Sequence, residues 1–280
     1  MSRVHRTSVG NVELVALQDT WLQPKLTDFF PEAAGTSLEP FRDLLSDADE
    51  LSLSITPWLI RSAGRTILVD TGMGGRPVDT PLGVEPALPS LLAEAGVPPE
   101  ELDIVAFTHL HFDHTGWNTL DRDGAPSPLF PNARHVAQQA EWDYWAAGAT
   151  GAEPDQARGL DPITAAGLWD LADGERALTP EVVAVPTPGH TPGHVSLMVS
   201  SAGESALLIG DAAHSPVQVR QPDWCIGADV DMPLARRTRR GMWDRSLAEG
   251  LLLATNHFPF PGLGRVVEEG GVRRWAAAGE

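Results

Sequence analysis

Hydrophobic positions along the chain gather into short runs rich in β-branched residues, each ended by a turn signal. These runs are Val12–Leu17, Ile55–Ile60, Thr66–Val69, Ile104–Phe107, Val182–Val185, Ser196–Val199 and Ala206–Ile209. Their length is that of strands and too short for helices. Between them the apolar spacing lengthens toward a helical period over Ala87–Ala95, Gln139–Ala147, Pro162–Leu171 and Leu234–Leu252, with Asp or Pro often opening and Gly often closing. Alternating strands and helices predict an α/β class with sheets flanked by helices. The stretch 20–50 breaks the rhythm: three Phe and three Pro without period-2 alternation. It reads as an N-terminal arm, either a lid over a substrate or an excursion packed on the surface.

Composition narrows the class. With 280 residues, 42% hydrophobic and 21% charged, the chain is an ordinary globular protein, expected as a single domain over 1–280. No apolar run has the length of a membrane span, so no membrane partner is expected. The N-terminal segment lacks a secretory pattern and Cys225 is the one cysteine, which makes the cytoplasm the expected compartment. A net charge of −18 argues against gripping nucleic acid, which takes clustered Lys and Arg. The basic cluster Arg236-Arg-Thr-Arg-Arg240 reads as a solvated helix face. A small neutral or apolar substrate remains. An apolar arm and exposed Trp side chains leave both a monomer and a homodimer open.

The chemistry concentrates in Thr108-His-Leu-His-Phe-Asp-His-Thr-Gly116. A separation of two puts His109 and His111 on one side of an extended backbone, where both imidazoles can face one ion. Asp113 and His114, in the turn before a glycine, can be aimed at a second ion. More ligand types stand where strands end: His190 in Thr187-Pro-Gly-His-Thr-Pro-Gly-His194, Asp211 after Ala206–Ile209, and His257 after an apolar run. A carboxylate such as Asp211 has two oxygens and can bridge two cations. Nitrogen and oxygen donors without thiolate suit two divalent metal ions, Zn first, with Mn, Fe or Co as alternatives. Trp117, three residues after His114, is the aromatic expected to line a substrate pocket.

Taken together, these residues and Val69-Asp70-Thr-Gly72 resemble the metallo-β-lactamase superfamily, nearest to its N-acyl homoserine lactone lactonase and methyl parathion hydrolase group. The resemblance runs from Val12 onward. It implies a four-layer αβ/βα sandwich of two mixed β-sheets with the metal site at one edge. It implies His109, His111 and His190 on one ion, Asp113, His114 and His257 on the other, and Asp211 bridging. Asp70 and His194 would support the ligands from behind. Asp at position 211, where exported β-lactamases commonly use Cys, argues against antibiotic hydrolysis. Lactonases carry a Tyr three residues after the bridging Asp, and here His214 stands there; it is expected to touch substrate and, with Asp113, to serve the catalytic proton transfers. The expected function is a dinuclear hydrolase that opens a lactone or carboxylic ester with a metal-bridging hydroxide. Phosphotriester hydrolysis is the nearest alternative, and an iron-dependent oxidoreductase resembling persulfide dioxygenases is the alternative from another class.

Overall fold

The structure, a computed structural model, describes residues 2–75, 81–146 and 154–278. Two seven-stranded mixed sheets dominate it. In the first, Val4–Val9, Val12–Leu17, Trp58–Ser62 and Arg65–Val69 pair antiparallel in that order, and Arg65–Val69 then begins a parallel set with Ile104–Ala106, Arg134–Gln138 and Trp169–Ala172. The second sheet is ordered Arg176–Thr179, Val182–Pro186, Val195–Ser201, Glu204–Leu208, Leu252–Ala254, Leu263–Glu269 and Val272–Ala277, and only the Glu204–Leu208 and Leu252–Ala254 pair in it is parallel.

Alternation along Val12–Leu17 shows how the layers form. Val12, Leu14 and Ala16 point into a core shared with Leu197, Val199 and Leu208 of the second sheet, whereas Val15 and Leu17 point outward onto Leu88, Leu91 and Leu92 of the helix Leu88–Glu94. The helices Gln139–Ala146 and Pro154–Ala165 lie on that same outer side. On the far side, Met242 and Trp243 of the helix Met232–Glu249 cover Leu207, Ile209 and Leu253. The result is the four-layer αβ/βα sandwich. Both apolar faces of each sheet are thereby removed from water.

Several boundaries correct the sequence reading. The expected helix Pro162–Leu171 ends at Ala165, and Trp169–Ala172 is an edge strand parallel to Arg134–Gln138. Pro162 lies inside the helix instead of opening it. The expected strand Ile55–Ile60 is two strands, Leu53–Ile55 and Trp58–Ser62, broken at Thr56-Pro57 where proline removes a ladder donor. The long helix spans Met232–Glu249, opened by the Asp231 carboxylate on Leu234 N at 2.9 Å and closed by left-handed Gly250. The last residue of the expected helix Gln139–Ala147 lies outside the described residues.

The stretch 20–50 is not an open arm. Thr20–Leu22 pairs with Leu53–Ile55, and Leu26, Phe30 and Phe41 pack against Val217 and Trp224. The expectation of exposed Trp is corrected too: the exposed large hydrophobic side chains among the described residues are Phe112, Val230, Met232 and Val272. No helix among the described residues is long and apolar enough to cross a membrane.

Candidate metal centre and substrate cavity

Strand ends build the site. Ile104–Ala106 is buried throughout and carries the chain to Thr108, past which His109 and His111 emerge; a single helical turn, Phe112–Thr115, then presents Asp113 and His114. These four come from the first sheet. The second sheet supplies His190 after Val182–Pro186, Asp211 after Glu204–Leu208 and His257 after Leu252–Ala254. Ligands at the carboxyl ends of strands from two sheets meet along one edge. Asp211 is placed by a tight turn in which Gly210 has φ +54°, and a Cβ there would lie 2.6 Å from His194 Nε2.

All seven expected ligands come together, in two groups: His109, His111, His190 and Asp211, and Asp113, His114 and His257. Within each group the donor atoms lie within 4.8 Å of one another. His111 Nδ1 stands 2.8 Å from His109 Nε2 and 2.9 Å from His190 Nε2, and His114 Nε2 stands 3.3 Å from His257 Nε2. Outer partners fix the tautomers. His190 Nδ1 donates to Asp229 at 2.8 Å, His257 Nδ1 to the Ser54 carbonyl at 2.9 Å, and His114 Nδ1 to Asp70 at 2.8 Å. In neutral imidazoles this leaves the Nε2 lone pairs converging, which is repulsive unless a cation stands between them. Asp211 connects the groups: Oδ1 is 3.0 Å from His257 Nε2 and 3.2 Å from His114 Nε2, while Oδ2 is 3.4 Å from His190 Nε2.

Electrostatics agree with a cation-binding design. Burial, then the charge of His114, pushes His109 well below the usual imidazole range; burial, then His190, does the same to His111. Both therefore keep their lone pairs. Burial opposes charge on His114, yet Asp211, Asp70 and Asp113 outweigh it and raise its proton affinity well above the ordinary value. Buried Asp211 is held well below the carboxylate range by the imidazoles that ring it. Its Oδ1 has no hydrogen-bond partner among the described residues, nor has either nitrogen of buried His214. The carboxylates around His114 draw a proton onto it, and a divalent cation would take that proton's place, because a ligating imidazole must be neutral. The residues present fit two such ions, and the His and Asp donor set without thiolate favours Zn.

Asp70 sits behind the ligands at φ +60°, a strained conformation for a non-glycine residue. Its carboxylate accepts from Thr108 N, Thr108 Oγ1, His114 Nδ1 and Asn256 Nδ2 at 2.8–2.9 Å, linking the 108–114 stretch to the segment that carries His257. His194 does not join either ligand group. Burial pushes it down to about 3, and its neutral Nε2 accepts from Asp211 N at 2.9 Å. Trp117 requires a correction. It packs into the outer-layer core and donates from Nε1 to buried Asp19 at 3.0 Å, away from the cavity.

Supporting residues that carried no signal in the sequence are equally prominent. Buried Glu141 accepts from Leu110 N and Gly193 N, both at 3.0 Å, and from Trp145 Nε1 at 2.7 Å. It clamps the His109–His111 segment to the His190 loop. Asp19 caps the helix Leu88–Glu94 from outside, through Ala87 N and Leu88 N at 2.7 and 2.8 Å. Arg239 corrects the reading of the basic cluster, since it is fully buried, with three bonds to backbone carbonyls. Burial raises the Asp229 carboxyl, but the His190 hydrogen bond and the charges of His214, His190 and Arg239 prevail and hold it well below its usual range.

A cavity of about 740 Å³ opens over the ligands. Its floor is His111, Asp113, His190, Asp211, His214 and His257; its walls include Leu22, Phe29, Phe112, Trp145, Ile226 and Val230. No Lys or Arg is among the described residues that line it. His214 stacks on His257 with ring centroids 5.5 Å apart, and Phe29 meets it edge-on at 5.8 Å.

An αβ/βα sandwich with His and Asp ligands from both sheets at one edge defines a class of metal-dependent hydrolases. The model of the metallo-beta-lactamase superfamily matches residues 53–255, and the chain belongs to that superfamily. Curated relatives include the N-acyl homoserine lactonase of a Bacillus species, 26% identical over 207 residues covering 68% of this chain and 76% of that one. Another is N-acyl homoserine lactonase AttM of Azorhizobium caulinodans, 35% identical over 130 residues and covering 43% and 44%. Among solved structures, AidC, described as a dizinc quorum-quenching lactonase, superposes with a TM-score of 0.83 at 24% identity, covering 98% of this chain and 97% of its own.

Proposed function

We propose that this protein is a dinuclear metal-dependent hydrolase that opens lactones or cleaves carboxylic esters of small, uncharged, largely apolar substrates. The observation that carries the reading is the pair of ligand groups, with Asp211 of the first standing against His114 and His257 of the second, at the floor of a cavity with apolar walls and no described cationic side chain. Two divalent cations held there would polarise the substrate carbonyl and supply a water acidified from ~15.7 toward ~7 as nucleophile.

The chain's own groups do the rest. Leu22, Phe29 and Ile226 exclude water from an acyl or alkyl chain, and no described Lys or Arg of the lining is placed to pair with a carboxylate or phosphate at the far end of the substrate. Burial keeps His214 below the usual imidazole range, so it enters the cavity neutral, with one N–H to donate to the oxygen on which negative charge develops. Asp113, half-buried at the cavity floor with Oδ2 3.7 Å from both His114 Nε2 and His257 Nε2, is placed to carry a proton to the leaving alkoxide. The relatives named as N-acyl homoserine lactonases support this substrate class.

The test is turnover of acyl homoserine lactones, γ-lactones and aryl esters by zinc-loaded enzyme, each assay repeated after chelation. Chelator-sensitive hydrolysis in at least one series is expected. Absence of turnover in all three sinks the reading. A paraoxon-type triester and an oxygen electrode run alongside separate phosphotriester hydrolysis and iron-dependent oxidation from it.

A further inference from the structure

Arg239 is the charged side chain least expected in the interior. It comes from a run of four arginines on the helix Met232–Glu249, yet its side chain is 0% exposed. Its guanidinium touches three separate pieces of the site. Nε donates to the Ala212 carbonyl at 2.8 Å, one residue past Asp211. Nη1 donates to the carbonyls of Pro222 and Trp224, both at 2.8 Å, at the root of the loop that forms one cavity wall. Nη2 has no hydrogen-bond partner among the described residues and stands 3.6 Å from Asp229 Oδ2.

Asp229 faces the other way as well. Its Oδ1 accepts from His190 Nδ1 at 2.8 Å and its Oδ2 from Ile226 N at 3.1 Å. The wall is laced to the same loop by Val230 N on the His190 carbonyl and Asp231 N on the Gly189 carbonyl, each at 2.9 Å. A buried guanidinium and a buried carboxylate are costly apart and tolerable together. Removing either strands the other, so the pair is held in one geometry.

We propose that Arg239 is a positioning residue that, through Asp229, sets the orientation of His190 and the shape of the wall at 226–230 as one unit. A substrate that presses on Ile226 or Val230 thereby presses on a metal ligand. The inference rests on the reading of His190 as a ligand.

The test compares zinc-loaded wild type with Arg239→Met, Asp229→Asn, the double variant, and Val266→Ala, a cavity-forming control in the strand Leu263–Glu269. Zinc per chain and the rate of zinc capture by a coloured chelator are measured. Arg239→Met and Asp229→Asn should each release one of the two ions at least about tenfold faster than wild type. The double variant should be no more than about twofold faster than the faster single, because the two act as a unit. Val266→Ala should keep the wild-type rate at a lowered Tm. Wild-type rates in either single variant, multiplying effects in the double, or equally fast loss in Val266→Ala overturns the proposal. If Arg239→Met does not fold, Arg239→Lys, which keeps the charge and loses the fork that reaches three carbonyls and Asp229, takes its place, and the same outcomes decide. Wild type that binds no zinc would instead refute the metal reading beneath it.

Discussion

Glu141 serves three N–H donors with one carboxylate, and no neutral side chain can replace that. Glu141→Gln keeps the size but turns one acceptor into a donor aimed at another donor. Loss of zinc affinity and of kcat/KM by a factor on the order of ten is expected, read from metal content and steady-state kinetics; an unchanged metal content would refute the clamp. His214 makes a different prediction. His214→Phe should lower kcat about a hundredfold at unchanged zinc content, whereas a ligand substitution such as His190→Ala should lower both. The candidate ligands that the structure brings together were legible in sequence because each is a chemically distinctive residue in the loop or turn that follows a strand. Glu141, Asp19, Asp229 and Arg239 were not. Each acts on backbone groups or on a partner far along the chain, and each looks locally like a surface residue of a helix or loop.

Elements were legible where one face is apolar and its period unmistakable. Val12–Leu17 and Leu88–Glu94 fall in this group. Trp169–Ala172 was not, because a short edge strand following a helix differs from the helix's last turn only in what it pairs with. The strand Arg134–Gln138 on which it pairs carries its own test. His135 is fully buried between Phe107 and Trp169, its Nδ1 3.1 Å from the Ala133 carbonyl, and burial pushes it down from 6.5 to about 4. Above pH 6.5 the residue is neutral folded and unfolded alike. Between 6.5 and about 4 only the unfolded chain takes up the proton, so stability falls as pH falls through that window. Urea unfolding should show a loss of about 2 kcal/mol between pH 7 and pH 5 from this group. His135→Phe should flatten the dependence by that amount, and an unaltered slope would contradict the assignment.

At the scale of the whole molecule, a net charge of −18 surrounds a cavity with no described cationic lining. Approach of an anionic substrate should be resisted at long range, and salt should relieve that resistance. Raising ionic strength should therefore increase kcat/KM for an anionic ester several-fold while leaving a neutral lactone within about twofold. Equal salt dependence would argue against the electrostatic screen. The two sheets share an apolar core, and at their ligand-bearing edges His109, His111, Asp113 and His114 face His190, Asp211 and His257. Ions seated there would fasten one half of the sandwich to the other, as a disulfide does in an oxidising compartment where this chain, with its one cysteine, could form none of its own. At a hundredfold excess over Kd such binding adds about 2.7 kcal/mol. Chelation should lower Tm by several degrees, and the protein's resistance to heat then becomes a gauge of the free zinc around it.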